Sequence, residues 1–355
     1  MTMGAPRQMW ASAPWAEDEP LECTMIIPET ADCATIAFRA PSGAWFDYQP
    51  GQFLTLELPL PGGPVHRTYT ISSSPSRPLS ISITVKAGPD SLGTRWMLDH
   101  LRPGMRLRAK GPAGAFSFLR HPARKYLFVS AGSGITPMMS MTTWAWDSGE
   151  MPDIVFVHAA RRPADIIFRR RLEGFAARVP GLQLRFTVED VDPLEVWPGY
   201  RGRLNQIMLG LMAPDYQERE VFCCGPEPFM RGVREMLAAL GHDMTRYHEE
   251  SFAAPAPEGV TVDIPAPAPV SELAFAASGA RIASDGSETV LSAARRAGIV
   301  IPSGCNFGLC GTCKVQKLSG EVAMVHNGGI TEDEIARGLI LACCARPQGT
   351  VVLDL

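Results

Sequence analysis

Residues 125–137 read KYLFVSAGSGITP. An apolar, β-prone run ends at Gly132, a Gly-x-Gly pair follows, and Pro137 suits the first turn of a helix. This is a buried strand that feeds a glycine loop and then a helix, the opening unit of a parallel α/β sheet. Gly132 and Gly134 allow a pyrophosphate to approach backbone N–H groups at the start of that helix. Pro137 stands where the full dinucleotide fingerprint has its third glycine, so the loop taken alone is a weak signal. Gly132, Gly134, Thr136 and Pro137 are candidate nucleotide-binding residues.

Downstream, DIVFVHAA, LQLRFTVE and EVFCCGP are further buried strands, with helical FRRRLEGFAARV and PFMRGVREMLAAL between them. Residues 121–252 are therefore expected to form a parallel-sheet α/β domain. Cys224, Gly225 and Pro226 follow its last apolar strand, and ligands bind outside the carboxyl ends of such strands. Cys224 is a candidate to face a nicotinamide; a buried structural thiol is the alternative.

Upstream, residues 21–120 hold short alternating runs (CTMIIPE, ATIAFRA, QFLTLELP, LSISITVK) parted by Pro and Gly, which predict an antiparallel β-barrel. In HRTYTISS, Arg67, Tyr69, Thr70 and Ser72 interleave a cation, an aromatic and hydroxyls. Such a set on one strand face could serve a flavin's phosphate, ring and N5. Gly93 and Thr94 precede the helical TRWMLDHL, with Thr94 expected to cap it and its free N–H groups to meet a phosphate. GPAGAF (111–116) closes the barrel. A solvated barrel face is the other reading of these residues.

Residues 1–20 are expected to be a loose tail. Residues 253–270 carry five prolines and read as a semi-rigid linker with a reach of about 50 Å. The domain beyond it, 271–355, is expected to swing on that linker. Nine cysteines are present, and five crowd into the last fifty-one residues. Cys305, Cys310 and Cys313 have the spacing C-x4-C-x2-C, and Cys343 follows after twenty-nine intervening residues. That is the plant-type [2Fe–2S] spacing; structural zinc sites show two similar pairs instead. Interleaved glycines let N–H groups turn toward the sulfurs. Cys344 stands beside Cys343 as the competing fourth ligand.

The chain has 355 residues, 46% hydrophobic and 20% charged, with a formal charge of −4. This excludes a disordered or collagen-like chain and gives no basic surplus for nucleic acid. No apolar run reaches the roughly 18 residues that span a bilayer, and the N-terminus lacks a secretory h-region. A cytoplasmic location is expected. The seven histidines are scattered without zinc-motif spacing, so each is expected to be structural or on the surface.

The ordered set RTYT, GT before a helix, GPAGAF, GSGITP, CGPEPFM and the cysteine loop resembles the ferredoxin–NADP reductase superfamily across residues 21–355. More narrowly, the chain is similar to flavin/[2Fe–2S] reductase components of Rieske-type oxygenases. GITEDEIARGLILACCARP and DIIFRRRLE most resemble the reductases of enzymes that demethylate glycine betaine or stachydrine. The resemblance implies a β-grasp ferredoxin domain at the C-terminus. It implies FAD rather than FMN bound by Arg67, Tyr69, Thr70, Ser72, Gly93 and Thr94. It places NADH at Gly132, Gly134, Thr136, Pro137, Cys224, Gly225 and Pro226, with Thr70 and Cys224 at the reacting centre. Glu249 and Phe252 would lie near the flavin, and Cys305, Cys310, Cys313 and Cys343 would hold the cluster, with the Leu-x pair before the fourth ligand favouring Cys343. A hydride would pass from nicotinamide to flavin, and single electrons through the cluster to a terminal oxygenase or another one-electron acceptor protein. Glu189 and Asp190, after LQLRFTVE, would favour NADH by repelling a 2′-phosphate, whereas Arg161 argues for NADPH. A hybrid-cluster or di-iron partner, or a non-enzymatic redox sensor, are the rival readings.

Overall fold

The computed structural model describes residues 13–88, 91–149, 151–252 and 271–355, except 285, 287, 305, 307, 309, 327 and 328. The proline-rich stretch 253–270 and Cys305 lie outside the described residues. By compactness the chain divides into two units: residues 1–54 with 69–252, and 55–68 with 253–355.

The chain opens with β1 (Leu21–Thr30), β2 (Cys33–Arg39), β3 (Phe53–Leu60), β4 (Gly63–Thr70) and β5 (Ile81–Lys86). Helix α1 (Leu92–His100) interrupts them before β6 (Arg106–Leu107) and β7 (Ala109–Ala113). The strands form two sheets, ordered β5-β2-β1-β6 and β4-β3-β7. The β1–β2 and β2–β5 pairs are antiparallel, as the Pro/Gly punctuation predicts. Residues 13–20 do not form the loose tail expected for 1–20. Pro14 bridges to Trp45, and the Trp15 ring packs 5.7 Å from Phe46. Burying an indole of that size outweighs the freedom of a short polar stretch.

The α/β region follows with β8 (Lys125–Ala131), α2 (Ile135–Ser148), β9 (Asp153–Ala160), α3 (Arg169–Ala176) and β10 (Leu182–Val188). Then come β11 (Tyr200–Arg201), α4 (Gln206–Met212), β12 (Glu220–Cys224), α5 (Glu227–Ala239) and β13 (Tyr247–Glu250). The order β11-β10-β9-β8-β12-β13 is parallel at every junction. Strand periodicity divides the core. Phe128, Phe156, Phe222 and Cys224 meet Met138, Met139 and Met141 of α2 on one face. Val129, Val157, Val221 and Cys223 meet Leu209 of α4 and Met230, Val233 and Leu237 of α5 on the other. Each of these side chains contributes roughly 1.5–3 kcal/mol when fully buried. Gly149, left-handed at φ 75°, ends α2 by donating to the Trp146 carbonyl.

The C-terminal domain holds β14 (Ser271–Phe275), β15 (Arg281–Ser284), α6 (Val290–Arg296), β16 (Lys314–Met324), α7 (Glu332–Ala336), β17 (Leu339–Leu341) and β18 (Ala345–Leu353). Its mixed sheet is ordered β15-β14-β18-β16-β17, with β14 and β18 parallel. Val290, Leu291, Ala293 and Ala294 of α6 pack over that sheet, the arrangement of a β-grasp. Thr289 caps α6 by accepting from Ser292 N–H, and Gly298, at φ 75°, lies just past its end.

Candidate functional site

Two backbone turns at the carboxyl ends of β8 and β12 form the centre of the α/β site. A 3-10 turn at Gly132–Gly134 leads from β8 into α2. Gly134 has no room for a side chain, because a Cβ there would overlap the Cys224 carbonyl and come within 2.6 Å of Gly225 N. A Cβ on Gly225 would in turn meet Phe229 Cδ1 at 2.9 Å and Ala131 N at 3.3 Å. The two glycines therefore let the expected nucleotide loop and the Cys-Gly-Pro turn pack main chain to main chain. Thr136 is buried and donates to the Ser133 carbonyl at 3.0 Å; Pro137 is buried in the first turn of α2. Pro226 is the residue that precedes α5.

Cys224 is fully buried, and burial, before the nearby Glu250 carboxyl, pushes its thiol well above the ordinary range. It is a neutral group at physiological pH rather than a thiolate nucleophile. Its parallel partner across the ladder is Glu250. Glu250 Oε2 is buried with no hydrogen-bond partner among the described residues, and burial raises its carboxyl to about 8. On β9, separated from β12 by β8, His158 is also fully buried. Its Nδ1 lies 2.9 Å from Ser130 Oγ, its Nε2 has no partner among the described residues, and burial lowers its pKa to about 3.

The structure corrects the expectation for Glu249. That side chain is exposed, ion-paired with Arg234, and accepts from the Tyr247 hydroxyl at 2.9 Å. Alternation along β13 turns Glu249 outward and its neighbour Glu250 inward. Glu250 was hidden in the sequence because adjacent glutamates give no sign of which one faces the core. Phe252, just past β13, is 45% exposed.

On the barrel side, Tyr69 Oη lies 3.3 Å from Thr94 Oγ1, so the RTYT strand and the Gly-Thr segment do come together. Arg67 is exposed and donates to the His66 carbonyl at 2.8 Å. Thr70 is buried, and among the described residues its hydroxyl has no hydrogen-bond partner. Two expectations fail here. A strand's period of two sets Thr70 opposite Arg67 and Tyr69, so the predicted single face does not form. Ser72 is buried in the barrel, where its hydroxyl lies 2.8 Å from Thr84 Oγ1, which reaches Thr35 Oγ1 at 2.8 Å. That chain of hydroxyls holds Ser72 inside the sheet. Thr94 does not cap α1 either. Ser91 precedes the helix, Gly93 and Thr94 are buried within its first turn, and Ser91 Oγ is engaged with Gly88.

After β9 and β10, Arg161 and the acidic pair Glu189-Asp190 lie side by side. Asp190 N–H donates to the Arg161 carbonyl at 2.8 Å, and Glu189 pairs with Arg203 at 3.2 Å.

In the C-terminal unit, Cys313 and Cys343 share one buried cluster and Cys310 is half-buried, while Cys305 lies outside the described residues. Ala342 N–H donates to the Cys313 carbonyl at 3.0 Å, tying the two cysteine segments together. Gly308 N–H points at Cys343 Sγ, 3.2 Å away, the backbone donation that a cluster thiolate needs. A Cβ on Gly304 would lie 3.0 Å from Cys310 Sγ, and Gly308 and Gly311 adopt φ of 76° and 70°. Asn306 Oδ1 is buried without a partner among the described residues. Cys344 is less buried than Cys343, and its thiol is directed to the Leu341 carbonyl. Softness of the donors, spacing and N–H donation all fit a [2Fe–2S] cluster.

Flavin barrel, nucleotide sheet and cluster loop in this order define a pyridine-nucleotide reductase that passes electrons through FAD to [2Fe–2S]. Family models agree: an oxidoreductase FAD-binding domain matches residues 22–118, an oxidoreductase NAD-binding domain 128–235, and a 2Fe–2S iron–sulfur cluster binding domain 257–348. The chain belongs to the family of flavin/[2Fe–2S] reductase subunits of multicomponent monooxygenases. It is 60% identical to a stachydrine N-demethylase reductase subunit of Rhizobium meliloti, over 96% of this chain and 97% of that one. It is 47% identical to a glycine betaine monooxygenase reductase subunit of Pseudomonas aeruginosa, over 96% of each. Phthalate dioxygenase reductase shares the fold, with TM-score 0.61, 24% identity, and coverage of 95% of this chain and 97% of that one. No helix among the described residues is long and apolar enough to cross a membrane.

Proposed function

We propose that this chain is the NADH-dependent reductase of a Rieske-type monooxygenase that removes a methyl group from a quaternary amine. The 60% identity to the stachydrine N-demethylase reductase subunit, over nearly the full length of both chains, carries this reading. A reductase drawing on reduced pyridine nucleotide works in the cytoplasm, and that is the location we assign.

FAD, when bound, would supply the chemistry that converts an electron pair into single electrons, and a [2Fe–2S] cluster held by the cysteine loop would supply a one-electron site. Around these groups the chain binds, orients and shields. Arg67 offers a cation to the flavin phosphates, and the buried Gly93 and Thr94 open the first turn of α1 to them. The Tyr69 ring, beside Thr94, would pack against the flavin, and the Thr70 hydroxyl, on the other face at the very end of β4, would reach only the edge of the ring. Gly132, Gly134, Thr136 and Pro137, with Gly225 and Pro226, admit the nucleotide against the main chain. Cys224 and the neutral Glu250 form the floor of the nicotinamide site, where Glu250 can donate a hydrogen bond to the carboxamide. Cys343 rather than Cys344 completes the cluster ligands with Cys305, Cys310 and Cys313. Glu189 and Asp190 favour NADH.

Reconstitution tests the reading. The reductase is mixed with the terminal oxygenase, NADH and stachydrine or glycine betaine, and demethylated amine is measured against NADH consumed. Coupled product with NADH at least tenfold better than NADPH is expected. A reductase that bleaches with NADH but drives no demethylation of either amine would move the assignment to another acceptor.

A further inference from the structure

The amino end of the parallel sheet carries a cluster that electron transfer does not use. His121 lies in the connector between the 3-10 turn Phe118–Arg120 and β8, Glu220 opens β12, and His248 is the second residue of β13. These positions are far apart in sequence, and the sheet brings them together. The imidazoles of His121 and His248 stack with centroids 3.7 Å apart. His248 Nε2 lies 2.6 Å from Glu220 Oε1. One donor atom from each residue falls within 4.8 Å of the other two, and all three residues are only partly buried. Among the described residues, neither ring nitrogen of His121 has a hydrogen-bond partner.

Two imidazoles and one carboxylate are the donors of three-ligand zinc sites, which leave a fourth position for water. The metal–ligand lengths of such sites put the donors about 3.3 Å apart. Reaching that spacing requires the two rings to swing out of their stack so that their in-plane lone pairs converge, as the 2.6 Å contact opens. Arg246 Nε holds Glu220 Oε2 at 3.1 Å, so the carboxylate presents Oε1 alone. Its positive charge, with Arg120 near His121, moderates the affinity for a dication. The Phe222 ring, 4.9 Å from His248 and 6.0 Å from His121, screens one side.

We propose that His121, Glu220 and His248 bind one divalent transition ion of the zinc class, which clamps the barrel-to-sheet connector onto β12 and β13. Glu220 and His248 stand at the starts of β12 and β13 and Cys224 and Glu250 at their ends, so hydride transfer is expected to proceed with the site filled. The test uses the holo-reductase with flavin and cluster loaded. The protein is dialysed against zinc ions at about 100 µM, and zinc and iron are then counted by elemental mass spectrometry. One zinc per chain is expected with iron unchanged, together with a zinc-dependent rise in melting temperature. His121→Asn and His248→Asn should each weaken zinc binding by about 100-fold or more while NADH–ferricyanide activity stays at the wild-type rate. His121 makes no hydrogen bond with its ring, so His121→Asn is the variant that decides if His248→Asn folds poorly. A wild-type protein that takes up no zinc, or a His121→Asn protein that keeps both the zinc and the melting shift, would overturn the proposal.

Discussion

The two ends of the parallel sheet are built on opposite electrostatic rules. At the amino end, β8, β9, β12 and β13 begin among paired charges. Arg219, almost wholly buried, bonds Asp153 and Asp215 and the Tyr126 carbonyl. Lys125 also reaches Asp215 at 2.9 Å. Burial pushes Asp215 up, but hydrogen bonds from Arg219 and Lys125 outweigh it and hold its pKa at about 2. At the carboxyl end, Cys224, Glu250 and His158 are buried, neutral, and in two cases left with an unpartnered atom. An ion pair satisfied within the fold contributes to stability once formed. A buried polar atom without a partner costs roughly 1–3 kcal/mol and persists where a ligand can satisfy it. The carboxyl end is the one where the proposed nucleotide would meet those atoms.

The adjacent thiols of the cluster loop show the same division and the largest expected effect. Cys343→Ser should abolish the cluster, seen as loss of iron and of cluster absorbance, while NADH still bleaches the flavin. Cys344→Ser should keep two irons per chain. At the amino end, Arg219→Ala unpairs the half-exposed Asp153, leaves Asp215 to Lys125 and frees the Tyr126 carbonyl, and should cost about 1–3 kcal/mol in denaturant unfolding, with turnover per folded molecule preserved. If that variant unfolds like wild type, the paired end is not the stabilising one.

At the carboxyl end, Glu250→Ala should slow flavin reduction by NADH by about tenfold, close to 1.4 kcal/mol, measured by stopped flow. Glu250→Gln, which keeps a neutral donor, should recover most of that rate. A Gln variant as slow as Ala would mean that the ionised carboxylate is the working form. The pH dependence sharpens the point. Glu250 is raised from an ordinary 4.5 to about 8, so the folded state holds a proton that the unfolded state releases. Its stabilising contribution is complete below pH 4.5 and is lost as pH rises to about 8. Wild type and Glu250→Gln should therefore melt alike near pH 4.5. The variant should then gain over wild type by up to a few kcal/mol as pH rises to 8. Parallel melting curves across that window would show that Glu250 does not titrate there. The smallest effect belongs to Glu249→Ala, whose exposed pair with Arg234 should change rate by less than about twofold and stability by under 1 kcal/mol.

Much of this was legible from local pattern. The barrel, the alternating α/β segments and the helix after Thr289 each follow from short-range periodicity and caps. The cysteine loop is more legible still, because three of its candidate ligands fall within nine residues. Elsewhere the reading stopped where two neighbours compete for one face. Glu249 and Glu250, or Tyr69 and Thr70, differ by a single strand position, and composition does not say which parity is inward. Nothing near Ser72 in the chain shows that its hydroxyl meets Thr84, and through Thr84 reaches Thr35, because both come from other strands. Nothing local to Trp15 shows that it is held, because Phe46 and Trp45, which hold it, are thirty residues away.

The order of the motifs along the chain was enough to determine the class of chemistry, because each rests on residues a few positions apart whose geometry the backbone enforces locally. Only the folded sheet decided which buried carboxyl is neutral and that His121, Glu220 and His248 meet. Desolvation and donor-to-donor distance are properties of strands laid side by side, and a linear string does not carry them.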